Sequence, residues 1–406
     1  MKKIADIDRA KELIRLCRAG RLYDIDRWIV EGNSLDISAE KKRGRQRSLL
    51  EVAIDTGFHS LVELVVKNEP TQLAKDAALG LAVASRRLDL VELLLANGAD
   101  IKSVPLADVF LTWEPEMIRY FLDHGADPVD GRPFAETFGA KVRTVLRPFV
   151  DYKRAHPELA VQLQEQVDCA LRHFCFEGDL KWISLLMWAG ADPRSRGPNL
   201  EKEYTEDPEC YTSGLEEACH SENLDVLKKL KPDVSRNNLT ELLHSAAIWV
   251  RSATLKYLLG IGANPNDKAN GGSSALDAAF RNLSFIRIGA YGPDRLHSKY
   301  DAQRVLDCVR ELLSHGAVWS PDRAYGLTSL RRALLECQPD VTIELLDLLR
   351  KHSACPAETV HRLLGTPRIK EHLISEANSL LRLGIHIENR PYSTWRKSPG
   401  RIKAGR

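Results

Sequence analysis

Three kinds of cluster in this chain could do chemistry. The first is Glu216-Glu217-x-x-His220, two carboxylates within one helical turn of an imidazole. That spacing suits a metal ligand set or an acid/base pair. It falls on a short helical pattern, however, where carboxylates near the N-terminus complement the helix dipole. We therefore expect Glu216 and Glu217 to be exposed and structural. The twelve histidines are dispersed, and His124 and His315 each precede a glycine that ends a helical pattern. An imidazole there is placed to bond the last carbonyls of the helix. No HExxH is present, Gly271-Gly272 reads as a turn, and no glycine-rich loop leads into GKS or GKT. A serine–histidine–carboxylate set assembles in space rather than in sequence, so it stays open at this level. No catalytic, cofactor-binding or metal-binding residue is expected, and the chain is not expected to be an enzyme.

The second cluster is the cysteines: Cys17, Cys169, Cys175, Cys210, Cys219, Cys308, Cys337 and Cys355. None forms CxxC, and none has zinc-finger spacing with histidines. Cys17, Cys175 and Cys219 each stand three residues before a break between helices, at Gly20, Gly178 and Glu222. Ala247 holds the same place before Val250. We expect buried thiols filling a small-residue slot.

The third is charge. Lys41, Lys42, Arg43, Arg45 and Arg47 put five basic residues in a stretch of seven. The tail from Arg390 interleaves basic residues with aromatic ones, as in Tyr392, Trp395, Arg396 and Lys397. Either stretch could grip phosphates or an acidic protein face, and the tail could stack on unpaired bases. Either could equally be a solvated segment. Net charge is only +2, with both ends basic and the middle acidic. No run of apolar residues is long enough to span a membrane. The start MKKIADIDRAKEL reaches aspartate before any apolar stretch, so no secretory signal is expected, and a cytoplasmic location is.

These clusters hang on a repeated frame, seen best in AALGLAVASRRLDLVELLLANGADIK, residues 77–102. In its first half Leu79, Leu81, Ala82 and Val83 share a face. In the second, Leu88, Val91, Leu94 and Leu95 recur as a helical stripe, closed by Gly98. Neither helix is long enough to stand alone, so the unit must stack on copies of itself. The copies begin at Leu13, Ser48, Leu106, Val167, Leu215, Glu241, Gly271 and Ser329, with a weaker one near Ala357. One is shortened by Pro232, and another is interrupted from Asn282 to about Tyr300.

LVELLLANGADIK (90–102), FLDHGADP (121–128), SLLMWAGADP (184–193) and YLLGIGANPND (257–267) carry a likeness. Through them the chain resembles the ankyrin repeat family, over nearly all of residues 10–388 and about ten divergent repeats. The family's T-P-L-H opening is nowhere intact; Ser274-Ala275-Leu276-Asp277 is among the nearest versions. The resemblance implies an all-α solenoid of stacked helix-turn-helix units with irregular loops and a helical insertion. Residues 1–138 and 167–389 would be repeats, 139–166 an inserted element or degenerate repeat, and 390–406 a basic tail. The resemblance also implies a non-enzymatic adaptor, scaffold or inhibitor binding another protein through a concave groove and finger loops, the basic stretch 41–47 among them. The alternative is a nucleic-acid-associated accessory protein using that basic finger and the tail. No cofactor is expected.

Overall fold

The computed structural model describes residues 7–37, 47–69, 71–200, 211–233, 235, 237–285, 299–319, 330–334, 337, 339–354 and 382. The chain is an all-α stack of helix-turn-helix units, and it divides into two compact parts. The first comprises Met1–Phe174 and Lys181–Tyr211; the second comprises Cys175–Leu180 and Thr212–Arg406.

The first part holds α1 (Ile7–Arg18), α2 (Leu22–Val30), α3 (Leu49–Thr56), α4 (His59–Asn68), α5 (Gln72–Ala84) and α6 (Leu88–Ala96). It continues with α7 (Leu106–Phe110), α8 (Pro115–Asp123), α9 (Pro133–Gly139) and α10 (Leu146–Ala155). Most of α11 (Ala160–Glu177) and α12 (Leu180–Trp188) follows. Each first helix packs on its hairpin partner and on the first helix of the next hairpin: α1 on α3, α3 on α5, α5 on α7, α7 on α9. The second part repeats the scheme with α13 (Gly214–His220), α14 (Leu224–Leu230), α15 (Leu239–Ile248), α16 (Ser252–Gly260), α17 (Ala275–Phe285), α18 (Lys299–Ser314) and α19 (Pro339–Lys351).

Local chemistry starts and stops these helices. Ser48 with Glu51, and Ser213 with Glu216, form reciprocal capping boxes, and Pro115 and Pro133 open α8 and α9. The turn inside most hairpins puts one residue in the left-handed region, Gly20, Gly57, Arg86, Trp113, Gly178 and Val250 among them, whereas the α13–α14 turn has none. Twelve residues beyond Gly20, Arg86, Trp113, Gly178 and Val250 stands a second left-handed residue, always glycine: Gly32, Gly98, Gly125, Gly190 and Gly262. His124 and His315 do bond the helix ends, with Nδ1 at 2.7 Å from Tyr120 O and 2.9 Å from Glu311 O.

The stripe in α6 is shifted from the expected one. Leu90, Val91 and Leu94 are fully buried, whereas Leu88 and Leu95 are half-buried at its margins. In α5 the core face is Ala78, Leu79, Ala82 and Val83, with Leu81 half-buried. A helix sandwiched between its hairpin partner and flanking repeats buries a broad face, so its centre lies between the positions a narrow stripe would pick.

Residues 139–166 contain the turn after α9, the whole of α10 and the first turns of α11. Aromatic packing serves this region: Phe134 lies 4.7 Å from Phe110 and 5.0 Å from Phe149 between ring centres, and Phe138 lies 5.3 Å from Phe149. Helix α9 has no side-chain cap of its own. Buried Gln166 supplies one from α11, accepting from Phe134 N at 2.9 Å and donating to Pro128 O at 2.8 Å.

Two further hydrogen-bond devices set the stacking. Gln72 donates to Asp76 (2.8 Å) and to Gly98 O (2.9 Å), while Asp76 accepts from Asp100 N (2.8 Å). Gln164, Asp168, Gly190 and Asp192 repeat this clamp bond for bond, at 2.8, 2.9 and 2.7 Å. In the second part Asn266 performs both halves alone, donating to Gly316 O (2.9 Å) and accepting from Val318 N (2.7 Å). At the opposite end of the hairpins, side chains reach the carbonyls of the preceding unit: Arg87 and Arg251, beside turns, to Gly57 O and His220 O, and Asn282, in the last turns of α17, to Ala247 O.

Candidate interaction surface

Of the residues expected to meet a partner, only Arg47 lies among the described ones. Its guanidinium is 2.6 Å from Asp55 and 3.3 Å from Glu51 O, so it is folded back on α3. Lys41, Lys42, Arg43, Arg45, Tyr392, Trp395, Arg396 and Lys397 lie outside the described residues, as does the acidic stretch 201–209.

The Glu216–His220 cluster has a geometry the sequence did not show. Glu216 caps α13 as expected, but Glu217 is fully buried, which corrects the expectation of an exposed carboxylate. Its side chain accepts from Thr212 Oγ1 at 2.5 Å and lies 3.0 Å from His220 Nδ1. His220 Nε2 is 2.9 Å from Ser245 Oγ on α15, and Trp249 packs 4.7 Å from the imidazole ring. This serine–histidine–glutamate line matches the base-orienting part of a hydrolytic triad. Acyl transfer needs, besides, free N–H donors aimed at the carbonyl oxygen. Ser245 sits in the interior of α15, where amides bond the preceding turn. What the line does here is join α13 to α15 through hydrogen-bonded buried polar groups. The neighbouring pair His244 Nε2 and Ser273 Oγ, at 2.8 Å, joins two further units in the same manner. Burial holds the His244 imidazole below the usual histidine range.

A second buried polar node lies in the first part. Arg172 donates to Glu165 (2.6 Å), Pro198 O (2.9 Å) and Ser195 O (3.2 Å), which fastens residues 195–198 over α11. Burial raises the Asp168 carboxyl above its usual range, against the hydrogen bonds from Asp192 N and Gln164. Burial disfavours the thiolate of four cysteines for the same reason: it pushes Cys17 and Cys308 up to about 12, and Cys175 and Cys219 upward as well. Among the described residues, no group of three His, Cys, Asp or Glu is placed to hold a metal ion.

The surface that departs most from the frame is the turn edge of the first part. Successive turns touch: Phe58 lies against Gly20, Arg87 reaches Gly57 O, and Arg86 lies 3.9 Å from Glu114. Along this line Phe58 (44% exposed), Leu111 (47%) and Trp113 (47%) face solvent. Trp113 stands at φ 66°, in the slot held by Gly20 and Gly57. A bulky residue there is strained by about 1–3 kcal/mol. It makes no ring pair among the described residues, unlike Trp249, which packs on His220 and lies 6.4 Å from Phe176. The sequence places the break of this unit at Trp113-Glu114-Pro115, and Trp113 precedes Gly125 by the same twelve residues that separate Gly20 from Gly32.

No protein-family model and no curated protein matches this chain. Among solved structures it is similar to the ankyrin repeat domain of Bcl-3, described as a unique member of the IkappaB protein family. The likeness has 17% identity and a TM-score of 0.30, over 73% of this chain and 97% of that one. At that identity and score it carries nothing about function. Among the described residues, no helix is long and apolar enough to cross a membrane.

Proposed function

We propose that this chain is a non-enzymatic protein-interaction module, an adaptor, scaffold or inhibitor, whose stacked hairpins present a rigid surface to a partner protein. Trp113 carries the proposal: a strained, half-exposed tryptophan in a slot that holds glycine at Gly20, Gly57 and Gly178 and the non-glycine residues Arg86 and Val250. Backbone strain persists where the surroundings over-determine it, and it concentrates at binding and catalytic sites. Tryptophan and arginine are also the residues that dominate binding energy at protein interfaces. Phe58, Arg86 and Leu111 extend the patch on the same edge. Stacked repeats hold such residues at low ordering cost. Under this reading the concave groove, the basic finger at 41–47 and the tail residues Tyr392 and Trp395 add contacts around the same partner.

Trp113→Gly tests it cleanly, because glycine relieves the backbone strain and the variant should fold at least as well. Crosslinked complexes recovered from the native host with wild-type chain should contain a stoichiometric protein that the variant loses. Identical recoveries from a folded variant would refute a role for this edge.

A further inference from the structure

The same edge indicates what kind of partner segment it fits. Most carboxylates on it are already matched, whereas exposed Glu116 in the first turn of α8 makes no ion pair among the described residues. Asp24 lies 2.7 Å from Arg21, Asp55 lies 2.6 Å from Arg47, Asp89 lies 2.7 Å from Arg87, and Glu114 lies 3.9 Å from Arg86. The cations are in excess: exposed Arg18 in the first turn and exposed Arg143 after α9 make no ion pair among the described residues. Arg86 is held only by its long contact to Glu114, and its side chain is 56% exposed. An exposed contact of that length is worth little and yields readily to a better-placed carboxylate.

The order along the edge matters as much as the balance. Arg86 belongs to the turn before Trp113, and Arg143 opens the short 3-10 turn Arg143–Val145 of the following hairpin, which packs against α8. The apolar platform of Trp113 and Leu111 thus has one arginine in the preceding turn and another in the following hairpin. Neighbouring hairpins are separated by roughly 8–10 Å, the usual distance between packed helices. An extended chain advances about 3.3 Å per residue, so that separation corresponds to roughly three residues.

We propose that the turn edge of the first part binds an extended acidic segment of a partner protein. A bulky apolar side chain of that segment lies on Trp113, and carboxylates about three residues to either side meet Arg86 and Arg143. This rests on the interaction-module reading and adds the chemistry and spacing of the partner.

The test is selection of a displayed random-peptide library on the immobilised full chain, with Trp113→Gly as counter-selection. Enriched peptides should carry Asp or Glu about three residues before and after a Trp, Phe, Leu, Ile or Met. Synthesised as fluorescent probes, they should weaken with salt and bind Arg86→Glu and Arg143→Glu about tenfold less tightly, a loss typical of one charged contact at an interface. Trp113-dependent peptides that are neutral or basic, or that ignore both charge reversals, overturn the acidic segment while leaving the interaction module standing. Recovery of no Trp113-dependent peptide from a folded chain overturns this proposal, and the host-complex experiment then decides the broader one.

Discussion

Gly197→Ala should destabilise the first part of the chain although it adds a single methyl group. A Cβ at Gly197 would lie 2.5 Å from Arg172 Nη2, 2.9 Å from Arg172 Cζ and 2.8 Å from Glu165 Oε1. A surface arginine would swing aside at little cost. Arg172 cannot, because its side chain is only 1% exposed and its nitrogens are committed to Glu165, Pro198 O and Ser195 O. Displacing the guanidinium lengthens bonds worth about 1.5–3 kcal/mol each when a charged group is involved. Glu165 is 38% exposed, so solvent can take over part of its share. We expect a net loss of about 2–4 kcal/mol, well short of the sum of the bonds. In thermal melts that is a fall of roughly 5–15 °C for a unit of this size. Urea denaturation followed by circular dichroism measures it, and hydrogen exchange across α11 locates it. In an Arg172→Met background the same alanine should cost at least about 1 kcal/mol less, since the clash has lost its charged partner. A Gly197→Ala variant within about 0.5 kcal/mol of wild type, or an equal cost in both backgrounds, refutes the account.

Three other outcomes follow from the same geometry. Burial raises the Asp168 carboxyl in the folded chain, so its contribution to stability is fully present below the unfolded value and is lost as pH rises through the folded one. Asp168→Asn keeps an acceptor for Asp192 N and removes the charge; its stability relative to wild type should therefore improve from pH 4 to pH 7 in paired urea titrations. Cys17, Cys169, Cys175, Cys219, Cys308 and Cys337 are buried thiols, so a thiol reagent at mildly alkaline pH should leave these six unlabelled until denaturant is added. Labelling of any of them in the native chain, mapped by peptide mass, would show that the packing around it opens. Leu94→Ala, at a fully buried position of α6, should cost roughly 2–5 kcal/mol in the same denaturation assay, and an unchanged transition would place Leu94 outside the core.

The stacking of hairpins was legible because its two left-handed residues recur at fixed spacing, and glycine is the residue that tolerates that backbone. Where glycine is replaced, as at Arg86, Trp113 and Val250, the turn still falls where the spacing puts it. The exposed turn edge was not legible, since hydropathy treats a tryptophan in a turn as it treats one in a core. The line from Glu217 through His220 to Ser245 was half visible. Two of its members share α13, but the serine comes from a helix of the next unit. The loop clamp carried a signal that went unread: Gln72 precedes Gly98 by 26 residues, and Gln164 precedes Gly190 by the same 26. Its replacement by Asn266 shows why a residue-type search fails, because one short amide can do what a glutamine and an aspartate do together.

The way the chain is apportioned between its two parts bears on synthesis at the ribosome. Residues 181–211 belong to the first part, yet they are made only after Cys175–Leu180, which belongs to the second. Until residues 195–198 emerge, Arg172 lacks the two carbonyls that satisfy it, and burying its charge would be unfavourable. The amino-terminal part therefore cannot settle as soon as its last long helix has formed. It has to wait for a strap made some twenty-five residues later, several seconds or less at ordinary elongation rates. In that interval a chaperone or a partner would meet α11 still uncommitted.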